Sequence, residues 1–191
     1  METRVGIGIL CGGKGRRMGG IDKGMLRLDG DTFLSRLVRL SGCFDERLIS
    51  GAPERISAPE GFRVWPDDVP DCGPMGGICT LLRHCRSSAL LIVACDMPLF
   101  GAEAIGALLD ACSPAVSILA LETAPGSPEP LAAIYNRSCL PALERSLADG
   151  RLRMRAFLRE NGAKSVSFAD RAATWNVNTP DDYAALTNRK G

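Results

Sequence analysis

Short apolar runs alternate along this 191-residue chain with stretches whose apolar positions recur every three or four residues. VGIGIL (5–10), RLISG (47–51), FRVWP (62–66), ALLIVA (89–94), VSILALE (116–122), PLAAIY (130–135) and KSVSFA (164–169) read as strands. ALLIVA is apolar throughout, as a strand buried on both faces requires. TFLSRLVRLSG (32–42), MGGICTLLRHCR (75–86), AEAIGALLDAC (102–112) and the region from about 138 to 161 read as helices. A last helix is marked by Thr179-Pro180-Asp181-Asp182, which supplies a capping hydroxyl, a first-turn proline and carboxylates at the positive end of the dipole; it should end near 188. Strands alternating with helices predict an α/β fold: a largely parallel sheet with helices on both faces. The stretch TAPGSPEP (123–130) is read as a loop inside one domain spanning 1–191, and neither a repeat nor a low-complexity tract is present.

Charge narrows the partners. The chain is 46% apolar and 24% charged, with a formal net charge of +1, so it lacks the basic footprint of a nucleic-acid binder. The opening METRVGIGILC holds about one strand's length of apolar residues, too few for a secretory core or a membrane span, and the expectation is a cytoplasmic protein with no membrane contact. Eight cysteines are scattered without a CxxC pair, mostly in apolar runs where a thiol acts as a small hydrophobe. The single histidine, His84, falls in a helical stretch and is expected at the surface, which leaves Ser-His and Cys-His hydrolysis with little support.

Chemistry concentrates in GIGILCGGKGRRMGGIDKG (6–24), where eight glycines surround Lys14, Arg16, Arg17 and Lys23. The dinucleotide pattern GxGxxG fails, because its third glycine would be Cys11 or Met18. Gly8 to Lys14 spell GxxxxGK, but Gly15 follows where a magnesium-binding hydroxyl belongs, and Gly8 lies inside the apolar run. There remains the order strand, GG, basic residues, then a lysine about ten positions on. Glycines allow backbone N–H groups to turn onto phosphate oxygens, Arg17 can fork onto two of them, and Lys23 acts as a point charge. A triphosphate cradle is the reading favoured over a flexible turn.

LCGGKGRRMGGIDK resembles the LAGGxSxRMGxxK loop of the molybdenum cofactor guanylyltransferase family. Further matches follow in family order: GPMGGI (73–78), ACDMPL (94–99), EPLAAIY (129–135), GRLRM (150–154) and NVNTPDD (176–182). They span nearly the whole chain. The resemblance implies a Rossmann-like nucleotidyltransferase fold, with the N-terminal part binding nucleotide and the C-terminal third facing molybdopterin. It implies transfer of GMP from GTP to the phosphate of molybdenum-molybdopterin, with release of pyrophosphate, in contact with other proteins of that pathway.

Asp96 follows the buried run ALLIVA and so should project from the carboxyl end of a parallel strand, where ligands bind in open α/β sheets. Beside a triphosphate, a carboxylate there calls for Mg2+; the alternative is a helix cap before Pro98. Arg17, Lys23 and Asp96 are thus the expected catalytic residues. An ionised phosphate monoester as nucleophile would need no general base. The resemblance assigns guanine and ribose to the backbone at Leu10, Cys11 and Gly12, with Gly13 in the same loop, and to Asp67, Gly73 and Gly77; Asp68 could exchange with Asp67. Asn176 and Asn178 alternate in WNVN, on one face of an extended segment, where they can reach a metal or a phosphate; the resemblance implies that with Arg153 they make up the molybdopterin side. Asn178 could instead cap a turn, and Arg151 and Arg155 compete with Arg153.

Three departures stand out. Cys11 replaces an alanine, Gly51 stands where relatives often carry a ribose-facing asparagine, and Lys14-Gly15-Arg16 add charge to the loop. Two rival functions remain in view: a cytidylyltransferase of the same pathway, which tends to carry LAAG in the first loop, and a nucleotide-binding adaptor that keeps the fold without turnover.

Overall fold

The computed structural model describes residues 4–12, 22–54 and 56–188. In chain order its elements are β1 (Val5–Leu10), β2 (Arg27–Leu28), β3 (Asp31–Thr32), α1 (Phe33–Leu40), β4 (Arg47–Ser50), β5 (Arg63–Trp65), α2 (Gly73–His84) and β6 (Ala89–Ala94). There follow α3 (Ala102–Asp110), β7 (Ile118–Glu122), β8 (Pro128–Asn136), α4 (Leu140–Ala148), α5 (Met154–Glu160), β9 (Lys164–Ser167) and α6 (Pro180–Asn188). Among the described residues seven strands form one sheet, in the order β5-β4-β1-β6-β8-β7-β9. No helix among them is long and apolar enough to cross a membrane.

Alternation along the central strand explains the layering. In β6, Leu90 and Ile92 join one apolar cluster and Leu91 and Val93 the other, as the two-residue period of a strand dictates. The first cluster takes Ile78, Leu81 and Leu82 from α2, Leu143 from α4 and Phe157 from α5. The second takes Leu37 from α1 and Ile105 and Leu108 from α3. Helices therefore cover both faces, as the α/β pattern predicts, and every residue of β6 is buried. Cys79, Cys85, Cys95 and Cys139 are buried as well. Burial pushes the Cys85 thiol up to about 11 and that of Cys139 up to about 12, which suits their reading as inert apolar groups.

Parallel pairing holds for β5-β4, β4-β1, β1-β6 and β7-β9, whereas β8 runs antiparallel to both β6 and β7. The strand also begins earlier than PLAAIY suggests, at Pro128, so the expected loop 123–130 shrinks to the hairpin connection 123–127. A register shift between β7 and β8 marks a bulge: Ala120 pairs Ala133 but Leu121 pairs Glu129. Side chains satisfy the bulge's backbone. The hydroxyl of fully buried Tyr135 donates to the Pro130 carbonyl at 2.9 Å, and the Leu131 N–H donates to Glu129 Oε1 at 3.1 Å. Because β8 is antiparallel, its first residues lie at the edge where β1, β4 and β6 end.

A smaller cluster joins the two ends of the chain. Leu28 and Phe33 pack with Val177 and Leu186, Tyr183 meets Phe33 edge-on at 6.2 Å, and the Tyr183 hydroxyl donates to the Arg27 carbonyl at 2.8 Å. The helix α6 starts as expected at Pro180, after Thr179. Asp182 Oδ2 accepts from the Asn178 and Thr179 N–H groups, and Thr179 Oγ1 accepts from the Asp182 N–H, forming a reciprocal cap.

Tyr135→Phe should leave the Pro130 carbonyl buried without its donor and lower stability by about 1–3 kcal/mol. Urea denaturation checks this; an unchanged midpoint would mean the bulge does not depend on that hydroxyl.

Candidate functional site

Five elements deliver side chains to one edge of the sheet, the carboxyl end of its central parallel strands. The 3-10 turn Lys23–Met25 is opened by Asp22, whose Oδ1 accepts from the Gly24 N–H at 2.9 Å. This turn sends Lys23 Nζ across to Asp96, just beyond β6. There it donates to Asp96 Oδ2 at 2.9 Å and to Asn178 Oδ1 at 2.5 Å. Both members of the ion pair are mostly enclosed, with side chains 21% and 18% exposed. The second Asp96 oxygen, Oδ1, is buried and accepts no hydrogen bond among the described residues. A buried carboxylate oxygen without a donor is costly, and a cation is the partner that removes the cost.

Asn178 therefore binds an ammonium that lies 155 positions away in sequence. The extended stretch before α6 docks through the Val177 N–H, which donates to the Asp96 carbonyl at 2.9 Å, while the Val177 side chain is fully buried. That anchor presents Asn178 to Lys23. Asn176 turns back instead, donating from Nδ2 to the Thr174 carbonyl at 3.2 Å.

A second focus lies at the tips of β1, β4 and β5. Buried Ser50 donates its hydroxyl to Asp67 Oδ1, and Asp67 Oδ2 stands 3.9 Å from where a Cβ on Gly12 or on Gly76 would sit. Asp67 thus faces the first loop. Asp68 is engaged differently: Arg83 and His84 bind it, and His84 lies flat on Trp65, ring centroids 3.9 Å apart at 8°. Burial raises the Asp68 carboxyl, but the bonds from His84 and Arg83 outweigh it and hold the group low.

The glycines of GPMGG serve distinct purposes. Gly73 opens α2 at φ +59, a left-handed conformation, with Pro74 in the first turn. At Gly77 a Cβ would lie 2.7 Å from Ser50 Oγ and 3.0 Å from Leu10 Cδ2, so this glycine lets α2 close onto the strand tips. At Gly51 a Cβ would stand 2.5 Å from Ile56 Cδ1 and 3.1 Å from the Cys11 carbonyl oxygen. Ile56 occupies the space an asparagine would need, which accounts for that departure. Leu10 is buried and Cys11 half-buried, the latter beside Cys95 on the adjacent strand tip. Contact with Cys11 and burial together push the Cys95 thiol well up. Gly13 and Arg17, like Lys14 and Arg16, lie outside the described residues.

Of the three arginines in and after GRLRM, Arg151 is engaged by Asp149 and Glu160, and Arg155 by Ser127 at 3.0 Å with Glu129 at 3.9 Å. Arg153 sits at the N-cap of α5, exposed; its carbonyl accepts from the Phe157 N–H, while its guanidinium has no hydrogen bond or ion pair among the described residues.

Two residues without a role in the sequence reading enter here: Ser50, which orients Asp67, and Glu129. The Glu129 side chain is only 13% exposed. Burial pushes its carboxyl above the ordinary range; the Leu131 N–H and Arg155 oppose the shift, and the nearby Asp96 charge adds to it. The quoted motif EPLAAIY contained Glu129, but a parallel β8 would have put it at the far edge. A cleft of about 320 Å3 beside α3, walled by Leu99, Ala102, Glu103, Phe168 and Asp170 among others, has two carboxylates and no cation, and does not suit phosphate.

Comparison with known proteins agrees with this geometry. Residues 7–166 match the MobA-like NTP transferase domain. A molybdenum cofactor guanylyltransferase of Burkholderia vietnamiensis is 32% identical over 95% of this chain and 94% of its own, and one of Haemophilus influenzae is 31% identical over 95% and 97%. Among solved structures, molybdopterin-guanine dinucleotide biosynthesis protein A of Archaeoglobus fulgidus superposes with a TM-score of 0.78 at 23% identity, covering 95% of this chain and 96% of that one. A Mycobacterium tuberculosis protein in complex with manganese gives 0.72 at 17% identity, covering 98% and 100%.

Gly77→Ala should force Ser50 and Leu10 aside and cost about 1–3 kcal/mol of stability by overpacking. Chemical denaturation measures it; a variant as stable as the parent would show that α2 has slack at this contact.

Proposed function

The chain belongs to the MobA-like NTP transferase family and is a nucleotidyltransferase, and from that premise we propose that it transfers GMP from GTP to the phosphate of molybdenum-molybdopterin. The observation that carries this reading is the junction of Lys23, Asp96 and Asn178, which gathers the first loop, the β6 tip and the C-terminal segment at one point. The guanylyltransferase names of relatives at about 32% identity support guanine and molybdopterin as the two substrates.

In this reading the acceptor phosphate oxygen attacks the α-phosphorus of GTP. A new P–O–P bond forms, and the bond to the β-phosphate breaks as pyrophosphate leaves with its electron pair. An acceptor phosphate with a second pKa of about 6 arrives ionised at neutral pH, so no base is required. The one histidine of the chain is accordingly free to stack on Trp65. Lys23 directs its charge at the transferring phosphoryl group, and Arg17 of the first loop does the same for the pyrophosphate. The backbone at Leu10, Cys11, Gly12 and Gly13, with Gly51 alongside, lines the nucleoside side, and Ser50-held Asp67 accepts from guanine or ribose over Gly12, with α2 entering at Gly73 and closing at Gly77. Arg153, whose guanidinium has no described partner, and Asn178 face molybdopterin, with Asn176, bonded to the Thr174 carbonyl, in the same segment. Asp96, through Oδ1, would hold a divalent cation, Mg2+ in this proposal, which supplies charge neutralisation at the phosphates when bound.

The test is turnover: purified protein with Mg2+, each NTP in turn, and molybdenum-loaded molybdopterin, scored for pyrophosphate and dinucleotide. GTP should give both products. Preference for CTP would make the chain a cytidylyltransferase, and no turnover with any NTP would make it an adaptor. Asp96→Asn should abolish most activity with the fold intact, and wild-type turnover in that variant would remove Asp96 from the reaction.

A second test addresses the junction. Lys23→Ala and Asn178→Ala should each lower kcat/KM, and the double variant should lose less than the product of the two losses, because residues sharing one bond couple by about 0.5–3 kcal/mol. Strict multiplication would mean that the two act independently.

A further inference from the structure

The antiparallel course of β8 puts a second carboxylate at the site. Val93 near the end of β6 pairs with Ala132, so the residues preceding 132 run on past the β6 terminus toward Asp96. Glu129 is among them, more enclosed than Asp96 itself. It is also fixed in place: the bulge turns the Leu131 N–H onto Oε1, and the carbonyl between them is held by Tyr135. Enclosing two carboxylates at one edge of the sheet is unfavourable unless positive charge lies with them. Among the described residues, Lys23 is the enclosed cation beside Asp96 and leaves one of the two charges unmatched, and Arg155 approaches Glu129 only at 3.9 Å from a side chain that is 67% exposed. Asp96 Oδ1 is meanwhile buried without a donor among the described residues.

We propose that Glu129 is a second carboxylate for the divalent cation at Asp96, set in position by the β8 bulge before the ion arrives. This rests on the reading of Asp96 as a cation ligand and extends it to a strand that the first-loop and NVNTPDD motifs do not include. Magnesium is commonly bound by one or two carboxylates together with substrate phosphates, and a pair from adjacent strand ends meets that requirement. A bulge beside the site is the kind of device that re-aims a side chain toward it. Glu129 acts here as a positioning and charge-balancing residue for the ion.

The experiment is Mn2+ titration of the full chain, without nucleotide, followed by electron paramagnetic resonance, together with thermal melting in chelator and in excess Mn2+. Glu129→Gln should weaken Mn2+ at least tenfold and shrink the Mn2+-induced rise in Tm, while melting in chelator at or above the wild-type temperature because a like-charge contact is gone. Glu129→Asp should recover part of the affinity. Arg155→Ala should bind Mn2+ at least as well as wild type; if it instead loses affinity in parallel with Glu129→Gln, the carboxylate serves the arginine and the proposal falls. Should Asp96→Asn lose Mn2+ while Glu129→Gln keeps wild-type affinity, Glu129 is excluded and the Asp96 reading stands. Should neither variant alter Mn2+ binding, both assignments fail.

Discussion

The ammonium of Lys23 holds the site together, because it bonds both to the β6 tip and to the segment leading into α6. An enclosed ion pair is weak grounds for stability, since desolvation offsets most of the attraction. Its value is specificity of placement. With Asp96 on one bond and Asn178 on another, Lys23 can occupy a single position, and the turn opened by Asp22 and the chain entering α6 are both fixed relative to β6. The apolar cluster of Leu28, Phe33, Val177 and Leu186 supplies the burial that this polar junction cannot.

The arrangement also explains how one edge serves two substrates. Strand tips of β4 and β5 bring Ser50 and Asp67 to one flank of the first loop, and the start of β8 brings Glu129 toward the other. Lys23, Asp96 and Asn178 stand between. A nucleotide lying over Gly12 toward Asp67 would carry its phosphates toward that centre, where an acceptor approaching from the Arg153 side would meet them. In the proposed function the division of labour follows position along the edge of the sheet and not position along the chain.

Most of the architecture was legible because its signals are local. The apolar run of β6, the Thr179-Pro180 start of α6 and the spacing in α2 each state their own structure, and the order of strands and helices implies the two covered faces. The direction of β8 was not legible, since an apolar run such as PLAAIY pairs equally well either way; the hairpin connection had been read as a longer loop. That single ambiguity concealed Glu129. Asp67 and Asp68 were indistinguishable as neighbours, and only their partners, Ser50 for one and Arg83 with His84 for the other, separate them. Gly77 was legible as a glycine that matters but not as a packing contact with Ser50, because that contact lies between elements. That Lys23 and Asn178 meet was not legible either, because they lie far apart in sequence and the cluster around Val177 brings their segments together.

The central claim, that phosphate transfer is organised at the point where Lys23, Asp96 and Asn178 meet, is tested most directly by a crystal structure of the protein with a non-hydrolysable GTP analogue and Mn2+, the ion located by its anomalous scattering. The account predicts the manganese peak on Asp96 Oδ1, the triphosphate within hydrogen-bond reach of Lys23, and the guanosine lying over Gly12 toward Asp67. A manganese peak away from Asp96, or a nucleotide bound at another edge of the sheet, would contradict it.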